Sequence, residues 1–200
     1  MRALAKDIAI GACPHRPGTD CLFVGDVGDN CARLQTDGNP HSYACGGRYF
    51  LYAVPEPVVS ADAPAEHAVR EAEDVFAVEL TYPDTGVYPN IPMDSEAIVV
   101  AADGSKAWLI EKRLMLEDRS DHPTPARIFE TPGDLRAASS GDVLQMSLAT
   151  TIANPDGIRI TGADLHPNGV DLVVRTAYWG GTYAFAMDAP LHFASLKVRP

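Results

Sequence analysis

The 200-residue chain carries a formal charge of −11, and 46% of its residues are hydrophobic. That composition suits one ordinary globular domain, spanning 1–200, with room for a substantial core. The acidic balance argues against nucleic acid and anionic membrane surfaces as partners, and favours cations or neutral or basic partners.

No apolar run approaches the ~18–20 residues of a membrane helix, so no membrane span is expected. The opening Met-Arg-Ala-Leu-Ala-Lys has no hydrophobic region long enough for a signal peptide. Sixteen Gly and sixteen Pro spread along the chain favour many short strands joined by turns.

In chain order, the first two expected strands are 7–12 and 20–26, joined by a turn-rich loop that Cys13 and Cys21 bracket. The second strand runs into Gly25-Asp26-Val27-Gly28-Asp29-Asn30, and a polar loop between Cys31 and Cys45 follows. No Cys-x-x-Cys occurs, and no His lies at finger-like spacing, which argues against a zinc site. Four Cys allow three connectivities. The favoured one is 13–21 with 31–45, each loop closure worth roughly 2.5–3 kcal/mol in the chain-entropy model. Four unpaired thiols are the alternative. Disulfides would imply an oxidising compartment.

Strands are next expected at 49–54 and 76–82, separated by Pro55-Glu56-Pro57 and an Ala/Glu-rich segment, Ala65 to Asp74, suited to a short exposed helix or an irregular loop. Residues 76–82 alternate apolar and polar, the mark of a half-buried strand. Further strands are expected at 95–101, 107–113, 126–130 and 143–150, and a last set at 160–165, 171–177, 182–187 and 192–198.

An acidic residue opens an apolar strand three times, at Asp7, Glu96 and Asp164, and each time a turn and a second apolar strand follow. Twelve strands in three groups of four predict an all-β, propeller-like chain of about three four-stranded antiparallel blades, near 7–82, 95–150 and 160–198. Propellers typically close with four to eight blades, so the chain is expected to be part of a longer propeller or half of a homo-oligomer that completes one. A β-sandwich or irregular barrel is the competing architecture.

Asp7-Ile8-Ala9-Ile10-Gly11, Val24-Gly25-Asp26-Val27-Gly28-Asp29-Asn30 and Tyr52-Ala53-Val54-Pro55-Glu56-Pro57 resemble a family of bacterial extracytoplasmic β-propeller-like proteins. Further resemblance lies in Tyr82-Pro83-Asp84, Asp94-Ser95-Glu96-Ala97, Ile110-Glu111-Lys112-Arg113, and Thr161-Gly162-Ala163-Asp164 followed by Arg175-Thr176. Lys6 departs from the acidic residue expected before the first strand. The resemblance implies a secreted or periplasmic propeller, six-bladed at full length. It supplies no established activity.

First strands of blades line a propeller's channel, so Asp7, Glu96 and Asp164 are candidate calcium ligands there, since calcium takes six to eight oxygens. Asp26, Asp29 and Asn30 form a second candidate cluster, with Gly25 and Gly28 in the same motif permitting tight turns. Structural roles compete with both: turn capping, and pairing with Lys112 or Arg175. Lys112 and Arg175 end second strands and are candidates for holding an anionic group. His166 is the only His beside the candidate channel. The Tyr178-Trp179 pair suits either packing or stacking on a ligand.

Two functions fit. The first is a binding or interaction module, with calcium as a candidate ion, for an unidentified protein or small-molecule ligand. The second is a metal-dependent hydrolase of lactonase or esterase type, with Glu96 or Asp164 as metal ligand or base. Catalytic zinc motifs and the nucleophile elbow are both absent from the sequence.

Overall fold

The chain is seen here in a computed structural model that describes residues 7–28, 48–57, 74–83, 95–112, 126–152, 159–166, 171–177, 182–189 and 192–199. For Arg159, and from Thr176 onward, only the backbone is described. The described chain is all-β apart from one short 3-10 turn, and its strands form three sheets.

Sheet one contains β1 (Asp7–Ala12), β2 (Asp20–Asp26), β3 (Tyr49–Pro55) and β4 (Phe76–Thr81), each antiparallel to the next. Sheet two contains β5 (Ser95–Val100), β6 (Ala107–Glu111), β7 (Ala126–Glu130) and β9 (Ser147–Ile152), again antiparallel throughout. Sheet three contains β10 (Arg159–Leu165), β11 (Asp171–Ala177), β12 (Thr182–Ala189) and β13 (His192–Arg199), in the same pattern. The three expected groups of four strands are therefore present.

One expected strand divides. Residues 143–150 read as a single run, but Val143–Gln145 form β8, which lies parallel to β4 on the outer edge of sheet one. Glu79 stands opposite Val143 and Thr81 opposite Gln145. Met146 marks the break: its amide donates to the Thr81 carbonyl at 2.8 Å and its side chain is buried in the core. The chain then passes into β9 and pairs with β7 of sheet two. Local alternation could not reveal this change of partner, because it depends on a strand more than sixty residues away.

Burial explains how the sheets stack. Every residue of β6 is buried, and so are all but one in β5 and in β7. A sheet buried on both faces needs an apolar layer on each side. Leu51, Val78 and Leu80 of sheet one join Ile98, Val100, Leu109 and Phe129 of sheet two in one core. Val99, Trp108, Ile110 and Ile128 turn the other way and meet Ile160, Leu172 and Val174 of sheet three. Each such aliphatic side chain contributes about 1.5–3 kcal/mol when fully buried. Sheet two is the filling between sheets one and three.

The turn after β5 ties the sheets at the backbone level. Ala12 at the end of β1 donates its amide to the Ala102 carbonyl at 3.0 Å, and Gly104, at φ 69°, passes close against the Ala12 carbonyl. Cys13 and Cys21 are joined by a disulfide that pins the turn between β1 and β2. Cys31 and Cys45, and residues 65–73 of the expected helix or loop, lie outside the described residues.

Candidate binding cleft

The first strands of the three sheets come together, and the acidic residue opening the first of them does the joining. One oxygen of the Asp7 carboxylate accepts from the Ile98 amide of β5 at 3.1 Å and from the Ala163 amide of β10 at 3.4 Å. The same carboxylate also accepts from the amide of Ile8. First strands are sheet edges, and an edge amide away from water needs an acceptor. Asp7 supplies one to two neighbouring sheets at once.

Burial pushes the Asp7 carboxyl above its ordinary range; the bonds from Ile98, Ile8 and Ala163 oppose that shift, and the nearby Asp164 carboxylate adds to it. A carboxyl raised on folding contributes stability that is present in acid and lost as pH rises through its folded pKa. Asp7→Asn should remove this dependence. Measured by urea unfolding from acid to neutral pH, the native chain should lose ground to the variant as pH rises. A constant difference across that range would show that Asp7 titrates as it does in the unfolded chain.

Between β1 and β10 lies an open cleft of about 810 Å³. Its walls include Ile8, Ile10, Leu165 and Val173, and its polar lining includes Asp7, Asp103, Asp164, His166 and Arg175. Asp164 is exposed and its carboxylate accepts from the amide of Leu165 at 2.8 Å. Asp103, in the turn after β5, binds the hydroxyl and amide of Ser105 and lies 3.5 Å from Arg136. These bonds hold its carboxyl below the usual range, the Ser105 hydroxyl foremost. His166 is exposed, and its amide donates to the Asp171 carbonyl at 2.7 Å.

The other residues singled out from sequence lie elsewhere. Glu96 forms an ion pair with Lys112, with both side chains largely buried. Asp7 and Asp164 thus share the cleft while Glu96 does not line it, and Arg175 lines it while Lys112 does not. Among the described residues, no group of three or more His, Cys, Asp or Glu is gathered closely enough to hold a metal. Asp26 is half-buried at the end of β2. Asp29, Asn30, Asp94, Tyr178 and Trp179 lie outside the described residues.

Sequence reasoning missed the most buried charges in the described chain. Glu111 on β6 and Arg127 on β7 make a two-pronged ion pair, with bonds of 2.8 and 2.7 Å. Arg127 also sits 5.5 Å from the centre of the Phe129 ring, which meets Tyr82 edge-on at 5.1 Å. The Tyr82 hydroxyl in turn lies 3.1 Å from the Ser95 hydroxyl and 3.2 Å from the Val27 carbonyl. The available signal was weak: a Glu closing one strand and an Arg near the start of the next in one meander. Comparisons with protein-family models, with curated proteins and with solved structures find no match.

Proposed function

We propose that this chain is a β-propeller-type binding module of a secreted or periplasmic protein, each four-stranded meander being one blade. The observation that carries this reading is the meeting of β1, β5 and β10 around Asp7, beside an open cleft to whose lining all three first strands contribute. Blade-like units sharing an axis would leave such a cleft wherever the ring is incomplete.

The outer face of sheet one fits this reading. In register across it, Ile8 stands opposite Val24, Val24 opposite Tyr52, Ile10 opposite Leu22, and Leu22 opposite Val54. Ile8 and Ile10 are exposed, and Leu22, Val24, Tyr52 and Val54 are only half-buried. In this proposal a further sheet covers Leu22, Val24, Tyr52 and Val54, from more of the same polypeptide or from a second copy, and leaves Ile8 and Ile10 open to the cleft. The disulfide supports an oxidising compartment.

Calcium belongs to the proposal as a stabilising ion, drawing on Asp26 with Asp29 and Asn30, and on Asp7 and Asp164 at the cleft. Glu96 would join only by leaving Lys112. Thermal melting with calcium and with chelator tests this. A calcium-dependent rise of several degrees supports it, and superimposable curves remove calcium from the reading.

A hydrolase is the second reading. It is favoured by Asp7 and Asp164 standing in one cleft with His166, since two carboxyls and an imidazole are groups that can divide acid and base roles. A screen of generic esters and lactones decides between the two. Turnover lost in Asp164→Asn would establish the hydrolase, and binding without turnover would favour the module.

A further inference from the structure

Ile8 and Ile10 are 62% and 59% exposed, and both line the cleft. They share one face of β1, because Ala9 between them turns inward to the core. Two aliphatic side chains so placed form a short apolar strip about 7 Å long.

The backbone beneath them is also available. β1 is the terminal strand of its sheet, hydrogen-bonded on one side to β2. The Ala12 amide points away from β2, to Ala102. By the alternation of an antiparallel ladder, Ile8 and Ile10 turn their backbone groups the same way. The Ile8 amide is taken by the Asp7 carboxylate. That leaves the Ile8 carbonyl and both backbone groups of Ile10 on the open edge, facing the cleft.

Charge supplies the third element. Asp103 and Asp164 line the same cleft, with Asp7 more deeply set, against the guanidinium of Arg175 in the lining and that of Arg136 beside Asp103. The whole chain adds a formal charge of −11. An acidic field around an apolar strip selects a partner that is both aliphatic and basic.

The geometry points to an extended polypeptide segment of alternating aliphatic and basic residues, laid along β1 in this cleft. Its aliphatic side chains pack on Ile8 and Ile10, its Lys or Arg side chains reach Asp103 and Asp164, and its backbone pairs with Ile10. This rests on the reading of the chain as a binding module and names the occupant of its cleft.

Fluorescence anisotropy with a labelled, alternating Lys-Val octapeptide is the test, with a Glu-Val octapeptide and an alternately N-methylated Lys-Val octapeptide as controls. Saturable binding of the Lys-Val peptide is expected, at least about tenfold tighter than either control. Ile10→Lys should weaken it about tenfold, and Asp164→Asn about threefold, with the loss shrinking at high salt. Both positions are exposed, and unchanged melting curves would verify that the variants remain folded.

Absence of saturable binding overturns the proposal, as does equal binding of the N-methylated peptide or indifference to Ile10→Lys. Native mass spectrometry covers the competing occupant: a dimer that Ile10→Lys turns into a monomer would assign the strip to a second copy and overturn the peptide assignment. A calcium-dependent melting shift without peptide binding would sink this inference and leave the module reading standing.

Discussion

Arg127→Ala is expected to destabilise the protein by about 3–5 kcal/mol, the cost of stranding a buried carboxylate without its partner. Glu111 is 2% exposed and Arg127 9%, so water cannot replace the two bonds that are lost. Urea unfolding followed by tryptophan fluorescence would measure the effect, since Trp108 is fully buried in sheet two. The companion variant is Glu111→Leu with Arg127→Met, which removes both charges and keeps comparable volume. It should recover most of the loss, because a buried pair contributes little beyond offsetting its own desolvation. A loss below about 1 kcal/mol for Arg127→Ala would mean that the pair opens to solvent.

Gly104→Ala should rank next. Gly104 sits at φ 69°, where an L side chain costs about 1–2 kcal/mol. A Cβ there would also stand 2.0 Å from the Ala12 carbonyl oxygen. That neighbour is backbone, held by the bond from the Ala12 amide to Ala102, so relief requires moving β1 against sheet two. Overpacking of this kind adds about 1–3 kcal/mol, for a total near 3 kcal/mol. Gly133→Ala is the matched control, with φ 57° and open space around its Cβ position. It should show the backbone term alone. Equal losses at the two sites would contradict a tight seam between β1 and the turn after β5.

The strands were legible because their signals are local. Alternation along Phe76–Thr81 and the turn at Asp103-Gly104 are written in neighbouring residues, and both are present in the fold. The Cys13–Cys21 disulfide was legible for the same reason, since two Cys flanking one turn have few other partners within reach. The pairing of Glu96 with Lys112 was also readable, as one of two roles the sequence allowed.

Features that depend on assembly were not readable. Nothing around Asp7 announces that its carboxylate will serve amides of β5 and β10, which become neighbours only when three sheets meet. Arg127 looks like an ordinary charged strand residue until β6 sets Glu111 beside it. Met146 looks like one more apolar position in a strand, although the chain changes sheets there. At the candidate site, sequence named Asp7, Asp164, Arg175 and His166 in the cleft, but gave no sign that Ile8 and Ile10 would stand exposed beside them.

The three residues of β8 bear on how the protein is made. Sheet one is finished by a strand that leaves the ribosome more than sixty residues after β4. At roughly 5–20 residues per second, the edge of β4 waits for roughly 3–12 s before its neighbour exists. During that interval the amides and carbonyls of Phe76–Thr81 are an open template for any passing strand. The newborn chain is therefore most exposed to mispairing while sheet two is still being synthesised, and arrival of Val143–Gln145 closes that window.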